Sequence, residues 1–335
     1  MTNGQPRTDS LASGLLHGLR DPALIEQDVR DQLASSLSHI RSVLGPHSPV
    51  SDDALGKVIA QIRGYRQPPG VMARYFDLIQ AVQSQNIEMA ERLCVEMHDL
   101  GREPAVFSVV RYDPVSLGDD FERLPRLVFA ETQGRHITTP SDEAFVRANG
   151  DVLAALDIIA QTDPRVRSEI DALCSRVILA GGKREDGSAT FGGVTSLLAW
   201  GCMFLNIDAQ RDLNSIVMAM THEITHATLL GLSAVEPLVN NPPHQNYTSP
   251  LRPDARPMDG LYHATIVCAR MSNFSALWSH EPGITAADRE QRESNALRTR
   301  AKFYDAKHTV DESGDLSKTG RDIIDECDAV ISQIG

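Results

Sequence analysis

The segment from His222 to His226, which reads His-Glu-Ile-Thr-His, carries the strongest chemical signal in this chain of 335 residues. Two histidines four positions apart on a helix share one face, about 6 Å apart along the axis, so both imidazoles can reach one metal ion. Glu223 is rotated roughly 100° from His222 and can approach the same ion's water, as in zinc hydrolases. The spacing therefore predicts His222 and His226 as metal ligands and Glu223 as the catalytic residue.

A third ligand has to come from further along the chain. The longer zinc-protease motif, with glycine at 229 and histidine at 232, is excluded because Leu229 and Leu232 occupy those positions. His263 is the preferred candidate, since it lies on the next predicted helix, which could pack across the first. A downstream glutamate is the other common third ligand of zinc. Glu236 and Glu281 are the candidates of that kind, and these two and Asp259 stay open as alternatives to His263.

The connection between these two helices, residues 236–260, is long and rich in proline. Loops of this length inside a compact domain are usually functional, and proline restricts the backbone to a narrow range. Arg252 and Arg256 place two guanidinium groups near the third candidate ligand, where each could hold a carboxylate through two hydrogen bonds. The alternative is that both are ordinary surface arginines.

The metal motif needs a helix to carry it, and the flanking sequence supplies one. Asn214 and Ser215 are candidate N-cap residues, and Gly231 is a candidate C-terminal stop. Upstream, residues 22–100 are predicted to form successive helices, the first with an apolar stripe from Leu24 to Ile40 and a later one running from Met72 to Met97. These apolar faces are expected to pack against the rest of the chain or to hold a peptide.

After residue 104 the pattern changes to short runs typical of strands, at 106–112 and 127–132. Helices are predicted again at 141–159 and 164–174. Two apolar runs then flank the glycine-rich loop 181–188, which lacks the spacing of a phosphate-binding loop and is predicted to be a hairpin connection.

These elements predict a mostly helical α+β fold with two regions. Residues 1–104 are predicted to form a helical N-terminal region. Residues 105–335 are predicted to form the metal-binding catalytic domain, built around the two ligand helices and a few short strands. The last helix should dock on the core through a stripe that runs from Ile323 to Ile334.

Composition narrows the classes of function. With 32 basic and 45 acidic residues the formal net charge is −13, which disfavours nucleic acid as a partner. The sequence shows neither a secretory signal nor an apolar run long enough to span a bilayer, so no membrane partner and a cytoplasmic location are expected. The five cysteines are far apart and form no C-x-x-C pair, as expected of reduced thiols in the core.

The metal motif and the residues that follow it resemble a known family, the stand-alone HExxH-motif proteins of peptide natural-product clusters, which are iron- and 2-oxoglutarate-dependent peptide β-hydroxylases. The likeness covers residues 196–280, including a glycine-containing strand at 201–206 ahead of the metal helix. Downstream of the motif it rests on a series of residues in matching order: Tyr247, Pro250, Arg252, Asp254, Arg256, Pro257, Gly260 and His263.

The resemblance implies Fe(II), 2-oxoglutarate and dioxygen as cofactors, with His222, His226 and His263 as the iron ligands. Three protein ligands leave three positions on iron for the co-substrate and dioxygen. The far carboxylate of 2-oxoglutarate needs a cation, for which Arg256 is the first candidate and Arg252 the second.

Tyr247 belongs to the same candidate co-substrate site through the family pattern. Glu223 need not act as a hydrolytic base in such an enzyme and could instead orient a ligand histidine. The implied substrate is a precursor peptide, hydroxylated at an unactivated carbon, expected to be a β carbon. Two alternatives stay open: a zinc metallopeptidase built on the same motif, and a non-enzymatic helical protein stabilised by a metal.

Overall fold

The computed structural model describes residues 20–44, 52–129, 136–210 and 212–334. The described chain forms two compact units, each made of separate segments. The sheet unit comprises Asp21–Ala155 and Ser168–Val235, and the C-terminal unit comprises Leu156–Arg167 and the described part of Glu236–Gly335. The division predicted at residue 104 stays a prediction.

The sheet unit begins with the predicted helices. Asp21 caps the first of them through its side chain, which accepts a hydrogen bond from the backbone N–H of Ala23 at 2.8 Å. The run from Met72 to Met97 was predicted as one helix but forms two. Gln85 has a φ of 56°, which interrupts the helix, and Asn86 caps the next one by accepting a hydrogen bond from the backbone N–H of Met89. The four helices are α1 Pro22–Leu44, α2 Asp52–Gly64, α3 Pro69–Gln83 and α4 Ile87–Leu100.

The first strand, β1 (Ser108–Arg111), lies within the predicted run, and two short helices follow it: α5 (Pro114–Leu117) and α6 (Asp120–Val128). The strand predicted at 127–132 is wrong where the structure describes it, since Leu127 and Val128 are helical. Leu124 and Leu127, three residues apart, are both buried on one face of α6, which explains the preference for helix. The later part of that run lies outside the described residues.

Helices α7 (Asp142–Thr162) and α8 (Pro164–Leu173) agree with the prediction and lead into strands β2 (Arg176–Ala180), β3 (Gly193–Thr195) and β4 (Cys202–Asn206), followed by helix α9 (Leu213–Ser233). The strand order in the sheet is β1-β2-β4-β3. Strands β1, β2 and β4 run parallel, whereas β3 pairs antiparallel with β4.

The hairpin predicted for loop 181–188 is limited to one pair of residues. Lys183 and Ala189 form an antiparallel bridge, and Gly187 adopts a φ of 79° in the turn between them. The strands on either side of the wider segment, β2 and β4, are parallel and therefore cannot be the two arms of a hairpin. The sequence pattern missed β3, because a three-residue strand is too short to show alternation.

The sheet is covered on both faces within its unit. Phe204 and Ile178 join a buried apolar cluster with Leu124 of α6 and Ala73 of α3 on one face. Helix α9 packs against β3 and β4 and also against α1. The metal motif is thus carried by a helix that covers the sheet near its β3 edge.

The C-terminal unit is largely helical. Strands β5 (Asn246–Tyr247) and β6 (Arg256–Pro257) form a small antiparallel ladder, and helices α10 (Met258–Ser279), α11 (Ala286–Ser313) and α12 (Lys318–Ile331) follow. Helix α10 packs along α11 and against α12. The predicted apolar stripe of the last helix is buried at Ile323, Ile324 and Cys327.

The described chain has the predicted mostly helical α+β fold. None of the helices in the described ranges is both long enough and apolar enough to cross a membrane.

Candidate metal centre

Helix α9 begins one residue after Asp212, which is its N-cap. The Asp212 carboxylate accepts a hydrogen bond from the backbone N–H of Ser215 at 2.8 Å, and the Ser215 hydroxyl bonds back to the Asp212 backbone. This reciprocal capping box satisfies backbone groups that the helix itself leaves open. The predicted N-cap residues, Asn214 and Ser215, instead lie in the first turn.

Gly231 was predicted to end the helix, but it lies within α9, which continues to Ser233. A β-carbon at this position would collide with Ile25 of α1 and would lie 2.8 Å from Cη2 of the buried Trp200. The glycine therefore allows α9 to approach α1 and Trp200 closely, which is a packing role.

His222 and His226 lie together on the half-exposed face of α9, as the motif spacing predicts. Their ring centroids are 5.0 Å apart, and the ring planes are inclined at 63°. The His222 side chain is 42% exposed. Both imidazoles are thus placed side by side, which suits a shared metal ion.

Glu223 is buried between α9 and the sheet, with 4% of its surface exposed. The Thr195 hydroxyl donates a hydrogen bond to Glu223 Oε2 at 3.1 Å, and Oε1 lies 4.0 Å from Nε2 of His222. Burial raises the pKa of Glu223 to about 8, and the hydrogen bond from Thr195 opposes the rise. The carboxyl group therefore lies beside His222 and is held by Thr195 of β3.

Gly193 completes the surroundings of Glu223. A β-carbon on Gly193 would lie 2.6 Å from Oε1 and 2.8 Å from Cγ of Glu223, closer than such atoms can approach. Neither Gly193 nor Thr195 was identified from the sequence. The three-residue strand that carries them gives no periodic signal, and the pair Gly192–Gly193 at its start is as typical of a turn as of a close approach.

His263, the predicted third ligand, lies in the C-terminal unit on α10. It is buried, with 6% of its surface exposed, and its Nε2 lies 3.8 Å from Oδ1 of Asp259. Burial lowers the pKa of His263 from its ordinary value, while Asp259 acts in the opposite direction. The ring is therefore kept neutral near pH 7, the form that binds metal.

The alternative ligands Glu236 and Glu281 also lie in the C-terminal unit. Glu236 accepts a hydrogen bond from Thr319 at 3.1 Å. Within each unit, the described residues hold no group of three His, Cys, Asp or Glu side chains that could bind a metal by themselves. The structure brings together His222, His226 and Glu223, and the assignment of His263 stays a prediction.

The candidate co-substrate residues lie on the β5–β6 ladder and its connecting loop. Tyr247 and Arg256 are directly opposite each other in the register of this ladder. Arg256 Nη1 contacts the Gly260 carbonyl at 3.5 Å in the first turn of α10. Arg252 is exposed in the loop between the strands. The structure thus pairs Tyr247 with Arg256 and separates Arg252 from them.

Tyr247 also lines an open groove of about 770 Å³ in the C-terminal unit. Tyr304, Asp305 and Glu312 line the same groove. His308 lines the groove as well, and its Nε2 lies 3.4 Å from Oε1 of Glu312. A role of Tyr247 in co-substrate binding stays a prediction.

The donor set of the sheet unit fits a transition metal. Imidazole nitrogens suit both iron and zinc, and two of them stand side by side on α9 with a buried carboxyl group beside them. A scan of the sequence against protein-family models finds no match, and a search of curated proteins finds no significant similarity.

Proposed function

We propose that this protein is an Fe(II)- and 2-oxoglutarate-dependent oxygenase that hydroxylates an unactivated carbon, expected to be a β carbon, in a precursor peptide. The observation that carries the proposal is the arrangement on α9, where His222 and His226 are adjacent on a half-exposed face while Glu223 is buried and held by Thr195.

The burial of Glu223 favours an orienting role over a hydrolytic one. A base that activates water has to exchange protons with substrate and solvent during each turnover. Glu223 is 4% exposed, and one of its oxygens is already engaged by Thr195. In this proposal the carboxyl group orients the ring of His222, whose Nε2 lies 4.0 Å from Glu223 Oε1.

The edge of the sheet supports a peptide substrate. Strand β3 is one of the two edge strands of the sheet formed by the described residues, and β1 is the other. The hydrogen bond from the Asn206 N–H to the Gly192 carbonyl sets the ladder alternation, so the backbone groups of Gly193 and Thr195 point away from β4. An extended peptide can pair with such an edge, and this one lies beside the motif helix.

In this proposal His222 and His226 hold the iron with His263 as the third ligand, and Arg256 holds the far carboxylate of 2-oxoglutarate. Iron with 2-oxoglutarate and dioxygen supplies the oxidising power needed to hydroxylate an unactivated C–H bond. A cytoplasmic location belongs to the same proposal, and the five free cysteines accord with a reducing compartment.

The proposal is tested by purifying the protein without oxygen and measuring its metal content and its consumption of 2-oxoglutarate. Candidate precursor peptides are then incubated with the iron-loaded protein, and mass spectrometry measures the gain of one oxygen atom per peptide. Oxygen-dependent consumption of 2-oxoglutarate together with this mass gain is the expected result. Peptide cleavage by the zinc form, without such consumption, would contradict the proposal.

A zinc metallopeptidase is the second candidate, and one observation favours it. Glu223 Oε1 lies 4.0 Å from Nε2 of His222. If this nitrogen held zinc, the carboxyl group would be close to a zinc-bound water, as a hydrolytic base requires. Glu223→Gln separates the two candidates. It should abolish a peptidase outright, whereas an oxygenase should retain some turnover of 2-oxoglutarate.

A further inference from the structure

The contact between β3 and α9 joins Glu223 of the metal motif to two residues outside the motif, Thr195 and Gly193. Thr195 and Gly193 are two positions apart on β3, so they present the same face of the sheet. Thr195 donates its hydroxyl to Glu223 Oε2 at 3.1 Å, and Gly193 leaves just enough space for the other carboxylate oxygen.

This arrangement fixes the carboxyl group of Glu223 from two sides. The hydrogen bond holds Oε2 against β3, while the absence of a side chain at Gly193 allows Oε1 to lie within 4.0 Å of His222 Nε2. Any side chain at position 193 would displace the carboxyl group of Glu223. Loss of the Thr195 hydroxyl would leave this carboxyl group free to rotate. The position of Glu223 relative to His222 therefore depends on β3.

We infer that Thr195 is a positioning residue that holds Glu223 beside His222, and that Gly193 is required for this position. The inference rests on the proposed function only in taking His222 as a metal ligand, and it applies equally to an iron and a zinc centre. Groups that orient metal ligands commonly change metal affinity 10- to 100-fold when they are removed.

The experiment measures the affinity of the full chain for Co(II), followed by the visible absorption of the cobalt centre. Thr195→Val, which removes the hydroxyl and keeps the shape, should weaken binding about tenfold. Thr195→Ser should bind close to the wild-type level, because it restores the hydroxyl. Thr299→Val is the matched control, since this threonine is also half-buried but bonds the carbonyl of Asn295 in its own helix.

Two neighbouring glycines give a second matched pair. Gly193→Ala should weaken cobalt binding about as much as Thr195→Val does, because the new methyl group would displace Glu223. Gly192→Ala should leave binding unchanged, because its β-carbon would meet nothing closer than Gln210 Nε2 at 3.7 Å.

A double-mutant cycle decides whether Thr195 acts through Glu223. In a Glu223→Ala background, Thr195→Val should cause no further loss of cobalt affinity. The same cycle is measured for the stability of the metal-free protein. The combined effect of Thr195→Val and Glu223→Ala on the folding equilibrium constant should differ about tenfold from the product of the two single effects, as expected for one hydrogen bond.

An equal loss of affinity in both backgrounds would overturn the inference, and so would wild-type affinity in Thr195→Val. Absence of cobalt binding by the wild-type protein would also overturn it, together with the metal site. Cobalt binding with the expected cycle but no consumption of 2-oxoglutarate by the iron form would leave Thr195 as a positioning residue and contradict the oxygenase.

Discussion

Arg256 lies directly opposite Tyr247 in the ladder formed by β5 and β6. Residues opposite each other in an antiparallel pair project from the same face, so the guanidinium group and the phenol share one side of this ladder. The phenol oxygen accepts a hydrogen bond from Asn241 Nδ2 at 2.7 Å. Arg256 is therefore placed by regular backbone pairing, whereas Arg252 is exposed in the connecting loop.

Substitution of Arg256 should weaken the use of 2-oxoglutarate. Loss of a charge-assisted contact to a buried carboxylate costs about 2–5 kcal/mol, so Arg256→Ala should raise the apparent 2-oxoglutarate requirement about 30-fold or more. Arg256→Lys should recover part of the loss, because it restores the charge without the planar fork. The measurement is the initial rate against 2-oxoglutarate concentration, with iron content checked in each variant.

Arg252→Ala is the control for this experiment, since it removes an exposed arginine from the same loop. It should change the 2-oxoglutarate requirement less than Arg256→Ala does. An unchanged requirement in both variants would show that neither arginine binds the co-substrate.

The histidine pair gives a prediction that needs no substrate. His222→Ala and His226→Ala should each lower the affinity for Fe(II) or Zn(II) by at least about tenfold, because each removes one of two adjacent imidazoles. His39→Ala, which removes an exposed histidine from α1, should have no effect. Isothermal titration calorimetry measures the affinities, and full metal occupancy in either motif variant would remove that histidine from the site.

The sequence predicted those parts of the molecule that have a local signal. The first helix is predicted by Asp21 at its N-terminus and by the apolar stripe that comes after it. The motif helix is predicted by the four-residue spacing of its two histidines. The fold differs from the prediction where contacts between residues far apart in sequence determine the secondary structure. Leu127 reads as a strand residue but belongs to a helix, since Leu124 and Leu127 share a face buried in the core of the unit.

The residues of the candidate site also fall into two groups, those that the sequence predicts and those that it does not. His222 and His226 are neighbours because of helix geometry alone, which the sequence specifies. The contact from Thr195 to Glu223 joins residues 28 positions apart and depends on which strand forms the sheet edge. No local pattern encodes that strand order, so Thr195 could not be found from one sequence.

A buried ion pair should matter strongly for stability. Arg74 Nη1 lies 2.6 Å from Asp120 Oδ1, and both side chains are 6% exposed. Arg74 Nε also contacts Glu96 at 2.9 Å. Asp120→Ala leaves a buried guanidinium with one partner fewer and should cost about 3 kcal/mol in the free energy of unfolding.

Chemical denaturation measures that cost, with Asp53→Ala as the control. Asp53 pairs with Lys57 on the surface of α2, where the aspartate is 74% exposed, and its loss should cost less than about 1 kcal/mol. Equal effects of the two substitutions would show that the pair between Arg74 and Asp120 adds nothing beyond a surface pair.

The buried thiols predict an alkaline limit to stability. Burial raises the pKa of Cys94 from 9.0 to about 11 and that of Cys174 to about 12. A thiol whose pKa is raised on folding stabilises the fold below its unfolded pKa, and that contribution falls as the pH rises through its folded pKa. The free energy of unfolding should therefore decrease between about pH 9 and pH 11.

Alkylation by iodoacetamide checks the same thiols at pH 8. Because the thiolate is the reactive form, Cys94 and Cys174 should react only after denaturation. In the denaturation series, Cys94→Ser should flatten the alkaline slope. Rapid labelling of Cys94 in the native protein would contradict the burial of this thiol.

Two helical glycines should respond in opposite directions to the same substitution. Gly150 lies inside α7, and a β-carbon there would meet nothing within 4 Å. Gly150→Ala should therefore stabilise the protein by about 0.8–1 kcal/mol through helix propensity alone. Its response sets the baseline for a glycine in a helix whose surroundings are open.

Gly231→Ala carries the same gain in helix propensity but forces a methyl group against Ile25 and to within 2.8 Å of Trp200. Overpacking of a buried contact costs about 1–3 kcal/mol, which exceeds the gain, so the net effect should be destabilising. Thermal and chemical unfolding of both variants measure the difference. Because α9 also carries His222 and His226, a shift of this helix should weaken metal binding too. Stabilisation by Gly231→Ala equal to that of Gly150→Ala would show that α1 and α9 do not pack closely at this glycine.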